Sequence, residues 1–255
     1  MSLVHSYNVT SLVNQLAKLM YIDILTLFPE MFKGPFDDSI VKRAINKKLV
    51  TIKIHNLRKW ATDEHKTVDD KPYGGGVGMV LKVDPVYKAV EQLKKDFQKH
   101  GDHKKKGVFS HIILTTPKGR QFNHRIANKL SALRHLIVIC GHYEGTDHRI
   151  YEQIADESLS VGDYILTGGE LPAMIIIDSV VRLIPNVLNK IESKEAESFT
   201  YHEGLLKYPQ YTRPEEYENM KVPKILLSGN HKEIDKWREE EALKLTKEMR
   251  PDLVR

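Results

Sequence analysis

Short apolar, β-branched runs recur along this chain, each closed by a turn and followed by residues with helical periodicity. Tyr21 to Phe28 (YIDILTLF) is the first such run, and Pro29 ends it. Val50 to Leu57 alternates like a strand, residues 108–115 and 136–140 are further apolar runs, and 158–167 reads as a short strand and loop. Between them, residues 38–48 place Ile40, Val41, Ala44 and Ile45 at helical spacing, with Asp37 or Asp38 as the cap. Asp84-Pro85 opens a helix with Pro at its first position and Val86, Ala89, Val90, Leu93 and Phe97 on one face. Another helix is expected at about 123–133. Strands alternating with helices predict an α/β fold, with a mostly parallel sheet covered on both faces.

Beyond the last strand, Gly168-Gly169 precede an apolar segment from Glu170 to Ile184 that is hydrophobic nearly all round, which predicts a buried helix. After Pro185 the chain turns polar. Residues 186–204 are rich in Glu, Lys and Ser and read as a linker. Residues 205–255 read as a small helical domain, with Ser228-Gly229-Asn230 ahead of a helix from about His231 to Met249. The expected division is an N-terminal extension over 1–19, a main domain over 20–185, the linker and the helical domain.

Bulk properties narrow the class. With 255 residues, 41% of them hydrophobic and 29% charged, the chain has ordinary globular composition. The single cysteine, Cys140, allows no intramolecular disulfide and fits a reducing, cytoplasmic setting. It follows the run Leu136-Ile137-Val138-Ile139 and reads as a small apolar strand residue whose thiol pKa burial would raise. No stretch of about 18 apolar residues is present, so no membrane span is expected. His5, Ser6, Asn8, Asn14 and Gln15 interrupt the first nineteen residues, so no secretory h-region forms. The net charge of +5 and pI of about 9.0 favour a polyanionic partner, though weakly by themselves.

Glycine is concentrated in three places. Gly74-Gly75-Gly76-Val77-Gly78 is the densest run. It is not a Walker phosphate loop, since no Gly-Lys-Ser/Thr follows, nor a dinucleotide fingerprint. It is either a flexible surface loop or a place of close approach to an anion or second chain. The other two, Cys140 to Gly145 and Val161 to Glu170, sit at the ends of expected strands, as does Thr116-Pro117-Lys118-Gly119. Ligands of open α/β sheets bind beyond the carboxyl ends of strands, so these three loops suggest one pocket; ordinary strand–helix turns also use such residues. His65, His142 and His148 lack zinc-type spacing. Arg182 lies within the expected buried helix, where a charge is costly unless paired or held at a site edge.

Taken together, these segments resemble the bacterial tRNA (guanine-N1)-methyltransferases of the TrmD type, within the knotted SPOUT superfamily. The matching pieces are LFPEMF at 27–32, HKTVDDKPYGGGVGMVLK at 65–82, CGHYEG at 140–145, VGDYILTGGELPAM at 161–174, IDSVVRLIPNVL at 177–188, YTRPEEY at 211–217 and SGNHKEIDKWR at 228–238. They follow the family's order from about Met20 onward. The first nineteen residues have no counterpart and read as an appended tail, or as sequence upstream of a start at Met20.

The resemblance implies a deep trefoil knot, an S-adenosylmethionine methyl donor and a homodimer with its active sites at the subunit interface. It implies that the carboxyl-terminal helical domain holds tRNA. It places the donor against Thr116 and Pro117, against Gly141, Tyr143 and Glu144, and against Val161, Gly162, Asp163, Tyr164, Ile165 and Leu166 with Gly168, Gly169 and Pro172. The reaction it implies is methyl transfer to N1 of the guanine just 3′ of the anticodon, position 37. A base must remove the N1 proton, and the family places an Asp before a Ser-Phe pair for this; here the aligned residue is Glu197, before Ser198-Phe199. Arg182 corresponds to the arginine facing O6, although pairing with Asp178 one turn away would also explain it. His142 and His148 stand where many relatives carry Arg and Glu, which bears on tRNA contacts. Lys94, Lys95, Lys104 to Lys106 and Arg213 are candidates for phosphate contacts, or simply a solvated face. The resemblance also suggests assistance by Mg²⁺, and the absence of an evident metal cage in the sequence fits weak, water-rich binding. The rival readings are a knotted methyltransferase with another RNA target and a non-catalytic RNA-binding module.

Overall fold

A computed structural model of the chain describes residues 19–99, 109–188, 197–202 and 204–254. Residues 1–18, Lys104 to Lys106, and residues 189–196 and 203 of the expected linker lie outside the described residues. The chain divides into two compact units between Leu188 and Asn189.

The first unit is built on β1 (Met20–Thr26), α1 (Ser39–Asn46), β2 (Val50–Asn56), the short strands β3 (Asp69–Asp70) and β4 (Val80–Leu81), α2 (Val83–Lys99), β5 (Ser110–Gln121), α3 (His124–Ser131), β6 (His135–Cys140), β7 (Glu157–Ser160) and α4 (Glu170–Val181). Five strands form one sheet in the order β2-β1-β6-β5-β7, and every pairing is parallel. The α/β expectation holds at this level. Central β6, HLIVIC, is buried along its whole length, as a strand covered on both faces must be. Its alternate residues serve two cores. Leu136 and Val138 join Ile22, Ile24 and Ile113 under α1, α3 and α4. Ile137 and Ile139 join Leu25, Ile112 and Leu114 under α2 and Trp60.

Local chemistry sets the element ends. Of the two capping candidates for α1 it is Asp38 that caps, accepting from the Ser39 N–H. Asn123 caps α3 through the Ile126 N–H. Helix α2 begins at Val83, two residues ahead of the expected start, so Pro85 sits inside the first turn. A proline is tolerated there because first-turn N–H groups have no helical partner to lose. Strand β5 does not stop at residue 115. It bulges between Thr115 and Arg120, then rejoins β7 through Arg120 and Gln121. Pro117, with no N–H for the ladder, lies in the bulge.

One polar cluster, buried at Asp23 and His135, crosses four of the five strands. Asp23 Oδ2 accepts from His135 Nε2 at 2.9 Å, Oδ1 lies 2.5 Å from His55 Nε2, and Ser110 Oγ is 2.7 Å from His135 Nδ1. The Phe97 ring stacks on His135 at 4.2 Å. Burial alone would raise the Asp23 carboxyl; hydrogen bonds and positive charge from His135 and His55 outweigh it and hold it at about 2. A folded value below the unfolded value means that this contribution is full above pH ~4 and is lost as pH falls through ~2, a difference of roughly 2 kcal/mol. Asp23→Asn is expected to lower stability at neutral pH by roughly 3 kcal/mol, because it leaves buried His135 and half-buried His55 facing an amide. In urea unfolding, the gap between wild type and this variant should narrow steadily between pH 4 and pH 2. A gap constant with pH would show that Asp23 is not the titrating group.

The second unit contains the antiparallel pair β8 (Glu216–Tyr217) and β9 (Met220–Lys221), the short α5 (Lys224–Leu227) and α6 (His231–Met249). Asn230 caps α6 by accepting from the Glu233 N–H. Thr246, buried in α6, binds the Ala242 carbonyl and accepts from the Leu206 N–H. The Arg238 guanidinium lies over the Tyr208 ring at 5.0 Å. Arg213 is exposed.

Candidate active site

The carboxyl ends of β5, β6 and β7 open onto one cavity of about 620 Å³, a size typical of small-molecule sites. Its floor is bare backbone. The Gly169 N–H donates to the Gly141 carbonyl at 2.7 Å, and the Thr115 hydroxyl lies 3.2 Å from the carbonyls of Ile139 and Gly169. A Cβ on Gly141 would stand 2.6 Å from the Thr115 carbonyl oxygen. A Cβ on Gly169 would stand 2.6 Å from the Gly141 nitrogen and 2.9 Å from Cys140 Cα. Only glycine at both positions lets the start of α4 lie against the end of β6.

One polar, glycine-rich stretch of the sequence, residues 63–78, lies outside the cavity lining but braces the loop after β6. Asp63 to Gly78 contains β3, which pairs with β4 through Asp69–Leu81 and Asp70–Val80. The far edge of β4 is stitched to the loop after β6. Glu144 N–H donates to Met79 O at 3.1 Å, Leu81 N–H to Gly145 O at 3.0 Å, and Asp147 N–H to Leu81 O at 2.9 Å. The Gly74–Gly78 run is the exposed turn of this hairpin, with left-handed φ at all four glycines, and it does not line the cavity. Burial and the Asp69 carboxylate push the Tyr143 phenol up, with Arg58 opposing. Burial and the Glu170 charge push the Cys140 thiol well above its usual range, in keeping with its expected strand role.

Every residue that the resemblance places against the donor lines this cavity except Asp163. Sequence reasoning did not place His142, Ser160 or Tyr151 on the wall, though all three are there. His142 sits inside the Cys140–Gly145 cluster, and that position was the available signal. Ser160 carried none: its role, donating to the Gly162 carbonyl at 2.9 Å and accepting from the Gly162 N–H at 3.2 Å, exists only once the turn has formed.

This arrangement coincides with a sequence match over the same stretch. The family model described as tRNA (Guanine-1)-methyltransferase TrmD matches residues 20–255. The chain belongs to the TrmD family. A curated relative from Dictyoglomus turgidum, named tRNA (guanine-N(1)-)-methyltransferase, is 54% identical over 236 residues, covering 92% of this chain and 90% of the relative. Relatives of the same name from Geobacter sulfurreducens (49% identical) and Staphylococcus epidermidis (50% identical) each align over 235 residues, 92% of this chain and 91% of their own length.

The two residues that TrmD resemblance makes catalytic lie in different units. Arg182 is in the first unit, but not inside the buried helix. Helix α4 ends at Val181, and Arg182 is its half-buried C-cap. Pro185 explains the early stop, since it disfavours helical geometry at Ile184 and brings no N–H to continue the ladder. The residue therefore stands at the carboxyl end of the helix, where the dipole favours a cation. Glu197 is in the second unit, where it opens a turn. Its carbonyl accepts from the Tyr201 N–H at 2.8 Å and the Thr200 hydroxyl at 3.0 Å. Ser198 Oγ accepts from the Lys207 N–H, and Phe199 takes a left-handed φ of 73°.

Proposed function

We propose that this chain transfers a methyl group from S-adenosylmethionine to N1 of the guanine at tRNA position 37. The observation that carries the reading is one glycine-floored cavity at the ends of β5, β6 and β7, in a chain about half identical to proteins named tRNA (guanine-N(1)-)-methyltransferase. The cavity suits the donor. Gly141, Gly168 and Gly169 offer backbone with no side chain over it, while Tyr164, Ile165, Leu166 and Pro172 supply apolar wall for a purine. S-adenosylmethionine, when bound, supplies an electrophilic methyl on sulfur.

The chain's own residues do the rest in this reading. Glu197 takes the N1 proton, which makes the ring nitrogen a nucleophile. Negative charge then spreads to O6, where the Arg182 guanidinium donates hydrogen bonds. Arg182→Lys keeps the charge but loses the planar fork, and single-turnover methyl transfer should fall roughly a hundredfold or more. An unchanged rate with saturating tRNA would remove Arg182 from the chemistry.

The same reading includes a trefoil knot, supported by the entry to α4 lying against the end of β6 through Gly169 and Gly141. It includes a homodimer, supported by exposed Leu171 and Ile175 one turn apart on α4, beside Phe28 and Met31 on and around the helical turn Pro29–Phe32 that packs on α4. The helical second unit is proposed to hold tRNA. Among the described residues no helix is long and apolar enough to cross a membrane. Nor do three or more His, Cys, Asp or Glu there form a group that could hold a metal ion; the proposed assistance by Mg²⁺ is tested by running the assay below with and without the added ion.

Purified protein incubated with tRNA and donor, followed by mass-spectrometric mapping of methylated bases, tests the proposal. One methyl on guanine 37, lost when the transcript carries adenine there, is the expected result. Methylation elsewhere would assign another RNA target. Bound tRNA with no transfer would favour the binding-module reading.

A further inference from the structure

Glu170, the first residue of α4, is 1% exposed and lies beneath the cavity wall. Its Oε1 accepts from the Thr26 hydroxyl at 2.8 Å, and Thr26 in turn accepts from the Phe28 N–H. Its Oε2 is buried with no hydrogen-bond partner among the described residues. The same holds for His142 Nδ1, and these two atoms face each other at 3.9 Å. Gly168 closes the space above them: a Cβ there would stand 2.6 Å from His142 Nδ1 and collide with Glu170 Oε2. The His142 ring is held by Phe28 at 4.9 Å and by the edge of Tyr143 at 5.0 Å.

An acceptor and a ring nitrogen, both buried and both unmatched, are costly apart. Carboxylate charge at the first residue of a helix is favoured by the dipole, which supports Glu170 as the acceptor. A small turn of the imidazole brings Nδ1–H to Oε2 and satisfies both atoms. The geometry points to Glu170 as a positioning residue that fixes the His142 tautomer, with Nδ1–H on the carboxylate and Nε2 left to serve the cavity as a hydrogen-bond acceptor. The group it meets is an N–H, carried either by the methyl donor or by the target base. The buried carboxylate sets the ring's identity much as an orienting acid does behind a catalytic histidine. The kinetic consequence rests on the methyl-transfer reading; the tautomer does not.

The test uses the full chain labelled with ¹⁵N-histidine, without tRNA or donor. Among its 12 histidines, the His142 signals are those lost in His142→Gln. In wild type, Nδ1 should be protonated; a bare Nδ1 overturns the inference even if Glu170→Gln does not fold. Glu170→Gln keeps the size and the Thr26 bond but turns an amide N–H toward the ring, so His142 should switch to the Nε2–H tautomer. A tautomer unchanged in a folded Glu170→Gln variant also overturns it. In methyl transfer, Glu170→Gln should raise one KM roughly tenfold or more with a smaller change in kcat. A rise for the donor places the N–H on the donor, and a rise for tRNA places it on the base. If neither KM moves, Nε2 does not serve the cavity.

Discussion

Gly169→Ala is expected to weaken S-adenosylmethionine binding by about a hundredfold while leaving most of the fold in place. The Gly169 backbone, at φ −82° and ψ −2°, suits alanine, so conformational strain plays no part. Packing alone forbids the methyl group, because the new Cβ meets the Thr115 hydroxyl, the Gly141 nitrogen and Cys140 Cα. Two of those neighbours are backbone at the end of the central strand, which cannot yield as a flexible side chain would. Overpacking of this kind costs about 1–3 kcal/mol, and the cheapest relief is to lift the start of α4 off the end of β6. That movement opens the cavity floor. Donor binding must then restore it, and about 3 kcal/mol corresponds to a hundredfold in affinity. Calorimetric titration with the donor measures this. Gly75→Ala is the control: its Cβ meets nothing within 4 Å, and its φ of +80° makes the cost one of local strain in an exposed turn. It should melt slightly earlier and bind the donor normally. Equal donor affinity in Gly169→Ala and wild type would mean that the glycine floor is not where the donor rests.

How far this was legible in the sequence depended on whether a feature was local. β6 announces itself as an unbroken apolar run, and α6 begins behind Asn230 as its capping chemistry dictates. The three loops could be found because each carries glycine or proline after a strand. The features that escaped are made between segments. The β3–β4 pair has two residues on each strand and draws its support from the backbone of Tyr143 to Asp147, more than sixty residues on, so no periodicity betrays it. Asp23 looks like a polar interruption in YIDILTLF until His55 and His135 arrive from the neighbouring strands. Glu170 reads as an ordinary first-turn acid, and only the fold sets it against Thr26 and His142. Arg182 was placed a turn too deep because apolar composition continues to Ile184, whereas the helical hydrogen bonds do not.

Glu197→Gln is expected to have the largest effect on chemistry, slowing single-turnover methyl transfer by roughly a hundred- to ten-thousandfold. Guanine N1 keeps its proton at neutral pH and cannot attack while it does. The amide retains the size and hydrogen-bonding oxygen of the carboxylate but accepts no proton, so the variant isolates proton removal from positioning. The turn that carries Glu197 should survive the change. It is held by main-chain bonds from Thr200 and Tyr201 to the Glu197 carbonyl and by the Lys207 N–H on Ser198 Oγ, none of which uses the carboxylate. tRNA affinity, measured by filter binding, should therefore stay within about threefold, since the amide keeps the size and the hydrogen-bonding oxygen of the carboxylate. Glu197→Asp supplies the shorter acid that the family resemblance leads one to expect at this position. It should recover most of the lost rate, because the proton acceptor returns and one methylene of reach is within the range a turn can adjust. A glutamine variant that transfers methyl as fast as wild type would take Glu197 out of the reaction. A slow aspartate variant beside a slow glutamine variant would show that reach, set by the turn at Phe199, matters as much as charge.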